Sequence, residues 1–278
     1  MRVLLAGATG VVGRGLLPLL VEGGHEVVGL TRTAEGAEVV RERGAGAVVA
    51  DVYDPAGLTA AVASAAPEVV VHQLTDLGGR DTTANAEIRR TGTRHLVDAA
   101  KAAGVRRIVA QSISWAYEPG AGPAVESTPL DLGAGEPRLT NVLGVAALEE
   151  AVRELPEWVV LRYGLFHGPG TWYSRGGLMT TAPLVANGDV TSFVHVDDAA
   201  EAAVAALSWP TGAVNVCDDE PAAASEWVPV FCRATGVRVP PPVEGRSGWA
   251  RGADNRYARD HLGWVPRFPT WREGLGRS

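Results

Sequence analysis

Short apolar runs alternate with helix-like segments over the first 165 residues of the chain. Runs of this length, bounded by polar residues, are typical of strands buried on both faces of a parallel sheet. They predict strands at residues 2–6, 26–31, 47–51, 68–73, 106–111 and 158–163. Apolar residues at helical spacing predict helices between them, at residues 11–22, 34–42, 55–65, 82–103 and 140–154. Six strands joined by right-handed helical crossovers indicate an α/β fold, a doubly wound parallel sheet.

The regular alternation stops after residue 163, where the chain becomes rich in Gly, Pro and Trp. Further on, the pattern predicts a strand at 213–217 and a helix at 225–235. We therefore predict two domains. The first covers residues 1–165, with 190–210 returning to it, and the second is a small C-terminal lobe at 166–278 that binds the substrate.

The string GATGVVG at residues 7–13 directly follows the first predicted strand and leads into the first helix. Glycines at this spacing allow a tight turn, and they let backbone N–H groups approach a pyrophosphate at the positive end of a helix. In this context the string predicts a dinucleotide site on a sheet of the Rossmann type.

Composition narrows the class of partner. The net charge is −7 and the basic residues are scattered, so we expect no nucleic-acid surface. The start of the chain lacks a signal-peptide pattern, and no apolar run reaches the length of a membrane span, which together predict a cytoplasmic protein with no membrane partner. The two cysteines have no metal-site spacing, so we expect buried free thiols and no metal.

Several strings, taken together and in order, resemble the extended short-chain dehydrogenase/reductase family, the group of NAD-dependent epimerases and dehydratases. The resemblance covers nearly the whole chain. Besides GATGVVG, the matching strings are Asp51-Val52, Thr91-Gly92-Thr93, Leu161-Arg162-Tyr163-Gly164, Gly168-Pro169-Gly170, SFVHVDD at 192–198 and LGWVP at 262–266.

The resemblance implies a set of cofactor-binding residues: Gly7, Thr9, Gly10, Val11, Val12, Gly13, Arg14, Arg32, Asp51, Val52, Gln73, Leu74, Thr75 and Tyr163. In that family an acidic residue after the second strand accepts the ribose 2′-OH of NAD, whereas a basic one meets the 2′-phosphate of NADP. Arg32 stands at this place, with Arg14 as a second contact, so we expect NADP, and NAD stays open. Asp51 is expected at the adenine amino group, and residues 73–75 beside the nicotinamide.

The family's catalytic Tyr-x-x-x-Lys pair is missing. In the family the Tyr exchanges a proton with the substrate oxygen, and the Lys lowers the pKa of that Tyr. The corresponding helix places Leu143 and Ala147 at these positions, and none of the five tyrosines is followed by a lysine four residues later. Replacement catalytic groups are expected among Ser112, Ser114, Tyr117 and His167.

These observations predict an atypical short-chain dehydrogenase/reductase that uses NADP(H) to reduce or epimerise a small organic molecule. Specialised metabolites and polycyclic compounds are among the substrates considered. A non-redox dehydratase, isomerase or cyclase is the second hypothesis, and a non-enzymatic NADP(H) sensor is the third. Tryptophans of the lobe and loops are expected to shape an aromatic pocket. A nucleotide-sugar substrate would instead use Arg175, Asn187 and Arg251. The resemblance also implies a homodimer through helices 82–103 and 140–154.

Overall fold

The computed structural model describes residues 1–76 and 81–275. Its strands are β1 Arg2–Ala6, β2 Glu26–Thr31, β3 Gly46–Val49, β4 Val69–His72, β5 Arg107–Ile113, β6 Glu157–Tyr163, β7 Leu165–His167, β8 Val190–Thr191, β9 Phe193–His195, β10 Gly212–Val216 and β11 Ala222–Ala223. Its α-helices are α1 Val11–Glu22, α2 Ala34–Arg41, α3 Pro55–Ala65, α4 Thr82–Glu87, α5 Thr93–Ala102, α6 Arg138–Val152, α7 Val196–Ala205, α8 Ala224–Thr235, α9 Arg256–Leu262 and α10 Trp271–Leu275.

Seven strands form the central sheet, in the order β10-β6-β5-β4-β1-β2-β3. Strand β1 pairs in parallel with β2 on one side and with β4 on the other. The strand order therefore reverses at β1, and open α/β sheets bind their ligands beyond the carboxyl ends of the strands at such a point. This architecture confirms the predicted Rossmann-type α/β fold.

The predicted strands recur with small changes at their ends. β1 and β2 have the predicted bounds, whereas β5 continues to Ile113 through the polar pair Gln111-Ser112. The predicted strand at 213–217 is found at Gly212–Val216, where it is an edge strand of the central sheet and adds a seventh strand to the predicted six.

The predicted helix over 82–103 is not continuous. A π-helical turn, Ile88–Gly92, separates α4 from α5. Gly92 lies close to Ile88 and Val52, because a Cβ at this position would stand 2.9 Å from Ile88 Cγ1 and 3.1 Å from Val52 Cγ2. Single π turns inside α-helices occur often at functional sites, and this one carries the buried Arg89.

The chain divides into two compact units. Unit 1 comprises 1–112, 132–161 and 203–213, and unit 2 comprises 113–131, 162–202 and 214–278. The core of unit 1 consists of aliphatic side chains from the sheet and its helices, among them Leu4, Val70, Leu96, Ile108 and Leu148. Burial of these side chains supplies the main stabilisation of the sheet.

Unit 2 has an aromatic core. Phe193 packs edge to face with Tyr173 and Trp227, with ring centroids 5.4 Å apart in both pairs, and the fully buried Trp271 and Phe231 belong to the same cluster. Two small sheets accompany this cluster, the parallel pair β7–β9 and the antiparallel pair β8–β11.

Both cysteines, Cys217 and Cys232, are buried free thiols, as predicted. None of the helices in the described part of the chain is both long enough and apolar enough to cross a membrane.

Candidate active site

The glycine turn between β1 and α1 forms a compact cradle in unit 1. Gly7 has a φ of +90°, and a Cβ there would stand 2.5 Å from the carbonyl oxygen of Gln73. The Gly10 N–H donates to the Gly7 carbonyl (3.0 Å), and a Cβ on Gly13 would overlap that same oxygen. Within residues 1–76 and 81–275 no side chain caps the first turn of α1, so its N–H groups face outward with the positive end of the helix dipole. This cradle fits a pyrophosphate.

Two arginines belong to unit 1 near the starts of its first two helices. Arg32 follows β2 directly, and Arg14 lies in the first turns of α1. Both side chains are exposed, and neither forms an ion pair within the described ranges. Their charges are therefore available to a phosphate group.

The residues after β3 and β4 follow the carboxyl edge of the sheet. Asp51 is exposed, and its Oδ1 accepts the Tyr53 N–H (2.9 Å), while Val52 is buried. Gln73 is buried beside Gly7, and neither its amide nitrogen nor its amide oxygen has a hydrogen-bond partner in residues 1–76 and 81–275. Buried amides normally have partners, so Gln73 is a group that a ligand would satisfy.

Arg89 is a buried cation that the sequence interpretation missed. It is 4% exposed, and its Nη1 makes no hydrogen bond within the described part of the chain. Burial lowers the pKa of Arg89 to about 10, and burial together with the Arg89 charge lowers the pKa of His72 to about 4. The neutral His72 is held by Thr93, 2.8 Å from Nε2 to Oγ1. The sequence held a signal, because the helical spacing of Asn85, Arg89, Thr93 and Leu96 puts Arg89 on the buried face.

Helix α6 carries the two positions at which the family resemblance places Tyr and Lys. Leu143 is exposed by 48%, and Ala147 is half-buried. Neither side chain can donate or accept a proton. Unit 1 therefore presents no acid–base pair at these positions.

The two candidate serines have different surroundings. Ser112 is buried in unit 1 and donates its hydroxyl hydrogen to Glu149, 2.8 Å from Oγ to Oε1. Ser114 belongs to unit 2, where its N–H donates to the Tyr163 carbonyl (2.9 Å) and its side chain lines a cavity. Ser114 thus borders a space that a small molecule could occupy, whereas the Ser112 hydroxyl is bound to Glu149.

Both candidate tyrosines are buried in unit 2. The Tyr117 hydroxyl bonds with Asn215 Oδ1 and accepts from Arg162 Nη1 (3.0 Å), whose guanidinium also lies 4.9 Å from the centre of the Tyr117 ring. The Tyr163 hydroxyl donates to the Ala199 carbonyl (3.0 Å). These hydroxyls have structural partners, and the roles predicted for Tyr117 in catalysis and Tyr163 in cofactor binding stay predictions.

His167 is fully buried in the aromatic core of unit 2. Its ring centroid lies 5.1 Å from that of His195, and neither of its ring nitrogens has a hydrogen-bond partner in the part of the chain described. Burial, and then the neighbouring His195, lower the pKa of His167 to about 3. His167 is therefore neutral near pH 7, and its proposed acid–base role stays a prediction that this burial disfavours.

A cavity of about 350 Å³ lies within unit 2. Three indoles contribute to its wall, those of Trp115, Trp227 and Trp249. Four other tryptophans of the lobe and loops, which the sequence also offers for an aromatic pocket, are placed differently: Trp209, Trp264 and Trp271 are buried, and Trp172 is exposed by 36%. Asn187 and Arg251 line the cavity, whereas Arg175 is exposed and donates to the Ala234 carbonyl (3.1 Å).

The sheet, the glycine cradle and the uncapped start of α1 define a dinucleotide-binding α/β protein. A family model described as NAD(P)H-binding matches residues 7–210, and the chain belongs to that family. This result confirms the resemblance to the short-chain dehydrogenase/reductases.

Relatives narrow the class further. The chain is 45% identical to the 3-diazoavenalumate denitrifying reductase of a Streptomyces species, with all of both chains covered. It is 28% identical to the UDP-glucose 4-epimerase of Mycolicibacterium smegmatis, over all of this chain and 97% of that one. The crystal structure of Thermus thermophilus UDP-glucose 4-epimerase with NAD superposes with a TM-score of 0.78 at 25% identity, covering 99% of this chain and 97% of that one. The chain is accordingly an enzyme of the NAD(P)-dependent reductase and epimerase class.

Proposed function

We propose that this enzyme is an NADPH-dependent reductase that removes the diazo group of a small organic molecule as N₂. The observation that carries the proposal is the full-length 45% identity to a reductase named for denitrifying a diazo compound. The replacement of Tyr and Lys by Leu143 and Ala147 supports it, because this reaction has no need of them.

The balance of the reaction explains why no proton donor is required. A bound dihydronicotinamide would supply hydride, and hydride plus an arenediazonium group, R–N₂⁺, would give R–H and N₂ without a proton at the reacting carbon; a phenol ionised beside that group would take its proton from water afterwards. The C–N bond breaks, its electron pair leaves carbon with the departing N₂, and the hydride pair forms the new C–H bond. Carbonyl reduction differs, since the oxygen that gains charge must be protonated.

The protein's own contribution is binding, orientation and the exclusion of water. The glycine cradle and the first turn of α1 would hold the pyrophosphate through backbone N–H groups. Arg32 and Arg14 would hold a 2′-phosphate, which favours NADPH over NADH. Gln73, with its unpartnered amide, would contact the nicotinamide end of the cofactor.

Epimerisation of a UDP-sugar is less well supported. That reaction begins by removing a proton from a sugar hydroxyl, and a hydroxyl needs an activated base near neutral pH. Leu143 and Ala147 offer none. The cytoplasmic location and the homodimer expected from the sequence stay predictions.

The test uses diazotised 3-amino-4-hydroxybenzoate as substrate, with a nitrogen isotope in the diazo group and deuterium at the transferable position of NADPH. We expect equal amounts of oxidised cofactor, labelled N₂ and deuterated 4-hydroxybenzoate, at a rate well above that without protein. Loss of N₂ without cofactor oxidation would overturn the proposal. Turnover of 4-hydroxybenzaldehyde in place of the diazo compound would favour ordinary carbonyl reduction.

A further inference from the structure

The cavity in unit 2 is lined by three tryptophans. Trp227 is buried, Trp115 and Trp249 are half-buried, and Leu165 and Val190 add aliphatic surface. Its volume of about 350 Å³ lies at the small end of the range for ligand pockets. Indole faces bind flat conjugated molecules well, because such molecules bury a large area with little loss of conformational freedom. The walls therefore favour a planar, unsaturated ligand.

Arg251, which lines the cavity, is a cation with no acidic partner among the described residues, and its guanidinium packs over Gly120. Arg251 is half-buried, and its Nε donates to the Gly122 carbonyl while Nη1 lies 3.4 Å from the Glu118 carbonyl. Two of its five N–H groups are used in this way, and no carboxylate of the described residues lies within ion-pair distance of it. Three of its N–H groups are therefore left without a hydrogen-bond acceptor among the described residues.

The carboxylate of Asp189, the other charged group in the wall, is already occupied. Asp189 Oδ1 accepts the Ser247 N–H (2.6 Å), and Oδ2 lies 3.5 Å from the Ser247 hydroxyl. Asp189 therefore holds Ser247 in place and keeps its negative charge, and Arg251 is the one cation among the described residues of the wall. A nucleoside diphosphate would bring two phosphates to a cavity with one arginine and one carboxylate, which is a poor match of charge.

We propose that this cavity binds a planar conjugated aromatic carboxylate, with its ring system against Trp115, Trp227 and Trp249 and its carboxylate on Arg251. The guanidinium fork matches a carboxylate, and a half-buried charge-assisted pair discriminates strongly against an uncharged analogue. The claim that this ligand is the substrate rests on the proposed reductase function. The claim that the cavity binds such a ligand is independent of that function.

The binding test uses calorimetry on the full chain without cofactor, with 4-hydroxycinnamate, its methyl ester and UDP as probes. We expect the acid to bind at least about tenfold more tightly than the ester, which corresponds to about 1.4 kcal/mol, and UDP to bind more weakly than the acid. Equal affinity for acid and ester would overturn carboxylate recognition, and tighter binding of UDP would identify a nucleotide site. No binding of any probe would overturn the proposal altogether.

Two arginine variants distinguish an effect of the Arg251 charge on the ligand from an effect of Arg251 on the loop at residues 118–122. Arg251→Gln should lower the affinity for the acid about tenfold and leave the affinity for the ester unchanged. Arg246 is the matched control, because its Nη2 donates to the Gly120 carbonyl of the same loop (3.2 Å) but its side chain is not part of the cavity wall. Arg246→Gln should change neither affinity, and an equal loss in both variants would show that only the loop matters.

The experiments test the cavity assignment and the proposed reductase function independently, so that either can be overturned without the other. If Arg251→Gln does not fold, the comparison of acid and ester on the unaltered protein still decides the proposal. Tight binding of the acid with no release of N₂ from the diazotised probe would leave the cavity assignment standing and overturn the reductase function. Release of N₂ with no preference for the acid over the ester would do the reverse.

Discussion

Ser112 and Glu149 form a buried pair in unit 1, with 2.8 Å between Oγ and Oε1. Ser112→Ala would remove one hydrogen bond from the buried Glu149 carboxylate, so we expect a loss of about 1–3 kcal/mol in the free energy of unfolding. Urea denaturation measures it, with the exposed Ser64→Ala as a control that should stay within about 0.5 kcal/mol. Because the hydroxyl hydrogen is already committed to Glu149, N₂ release per folded molecule should persist. A folded but inactive Ser112→Ala enzyme would instead restore the catalytic role predicted for this serine.

Gly13→Ala tests the cradle. A Cβ at this position overlaps the Gly7 carbonyl oxygen, so the turn must shift and its N–H groups lose their alignment. We expect the affinity for NADPH, followed by nicotinamide fluorescence, to fall by about tenfold or more. Gly133→Ala is the control, since nothing lies within 4 Å of the position its Cβ would take. Unchanged affinity in Gly13→Ala would argue against the cradle as the pyrophosphate site.

Arg32→Glu tests the choice of cofactor. Charge reversal removes an attraction for the 2′-phosphate and adds a repulsion, while a carboxylate can accept the 2′-OH of NADH. The ratio of NADPH to NADH affinity should fall by about tenfold or more in fluorescence titrations at low salt. Arg106→Glu, an exposed arginine elsewhere in unit 1, should leave the ratio unchanged. If Arg32→Glu and Arg106→Glu had the same ratio of NADPH to NADH affinity, the 2′-phosphate would not bind at Arg32.

The pair Leu143→Tyr and Ala147→Lys restores the family's acid–base motif on α6. Leu143 is exposed and Ala147 is half-buried, so neither new side chain replaces a fully buried one. Because hydride and a diazonium group balance without a proton, the rate of N₂ release should stay within about threefold of the original. Single-turnover measurements at saturating cofactor provide the rate. A large increase would mean that proton transfer limits the reaction and that the proposed balance is wrong.

Asp218 predicts a pH dependence of stability. Burial, opposed by hydrogen bonds and reinforced by Glu220 and Asp219, raises the pKa of Asp218 to about 8 from its ordinary value of 3.8. Between these two pKa values the folded chain holds a proton on Asp218 that the unfolded chain has released. The contribution of Asp218 to the free energy of unfolding is therefore fully present at low pH and is lost as pH rises towards about 8. His72 and His167 have lowered pKa values and the opposite slope.

Asp218→Asn isolates that contribution. The Tm of the variant should equal that of the original protein at about pH 4 and exceed it at about pH 8, because the amide stays neutral at both pH values. The exposed Asp260→Asn serves as the control and should show the original pH dependence. Parallel curves for Asp218→Asn and the original protein would refute the raised pKa.

The sequence predicted those parts of the fold that depend on local pattern. Strands β1 and β2 have the predicted bounds because each is a continuous apolar run with a clear end. The π turn at Ile88–Gly92 escaped prediction, since π and α spacing differ by a single residue over one turn and the residues around it are polar. The glycine cradle was visible because its function requires glycines in one short string.

The cavity in unit 2 could not be derived in the same way. Its wall brings together Ser114, Asn187, Trp227 and Arg251, which lie far apart along the chain and share no periodicity. The sequence showed that tryptophans were available but not which of them meet. Likewise, the hydrogen bond from Ser112 to Glu149 joins two elements whose contact depends on the packing of the sheet.

The chemical make-up of the cavity wall bears on the lifetime of the enzyme. Diazonium ions couple covalently to phenols, imidazoles, amines and thiols, and they also attack electron-rich indoles. Among the described residues that line the cavity, none is a Tyr, His, Lys or Cys. The chain's single lysine, Lys101, lies in unit 1 and is paired with Glu154 (2.7 Å). An electrophile held in this cavity therefore meets no phenol, imidazole, amine or thiol of the described residues, and the three indoles of the wall are the side chains that covalent coupling would modify.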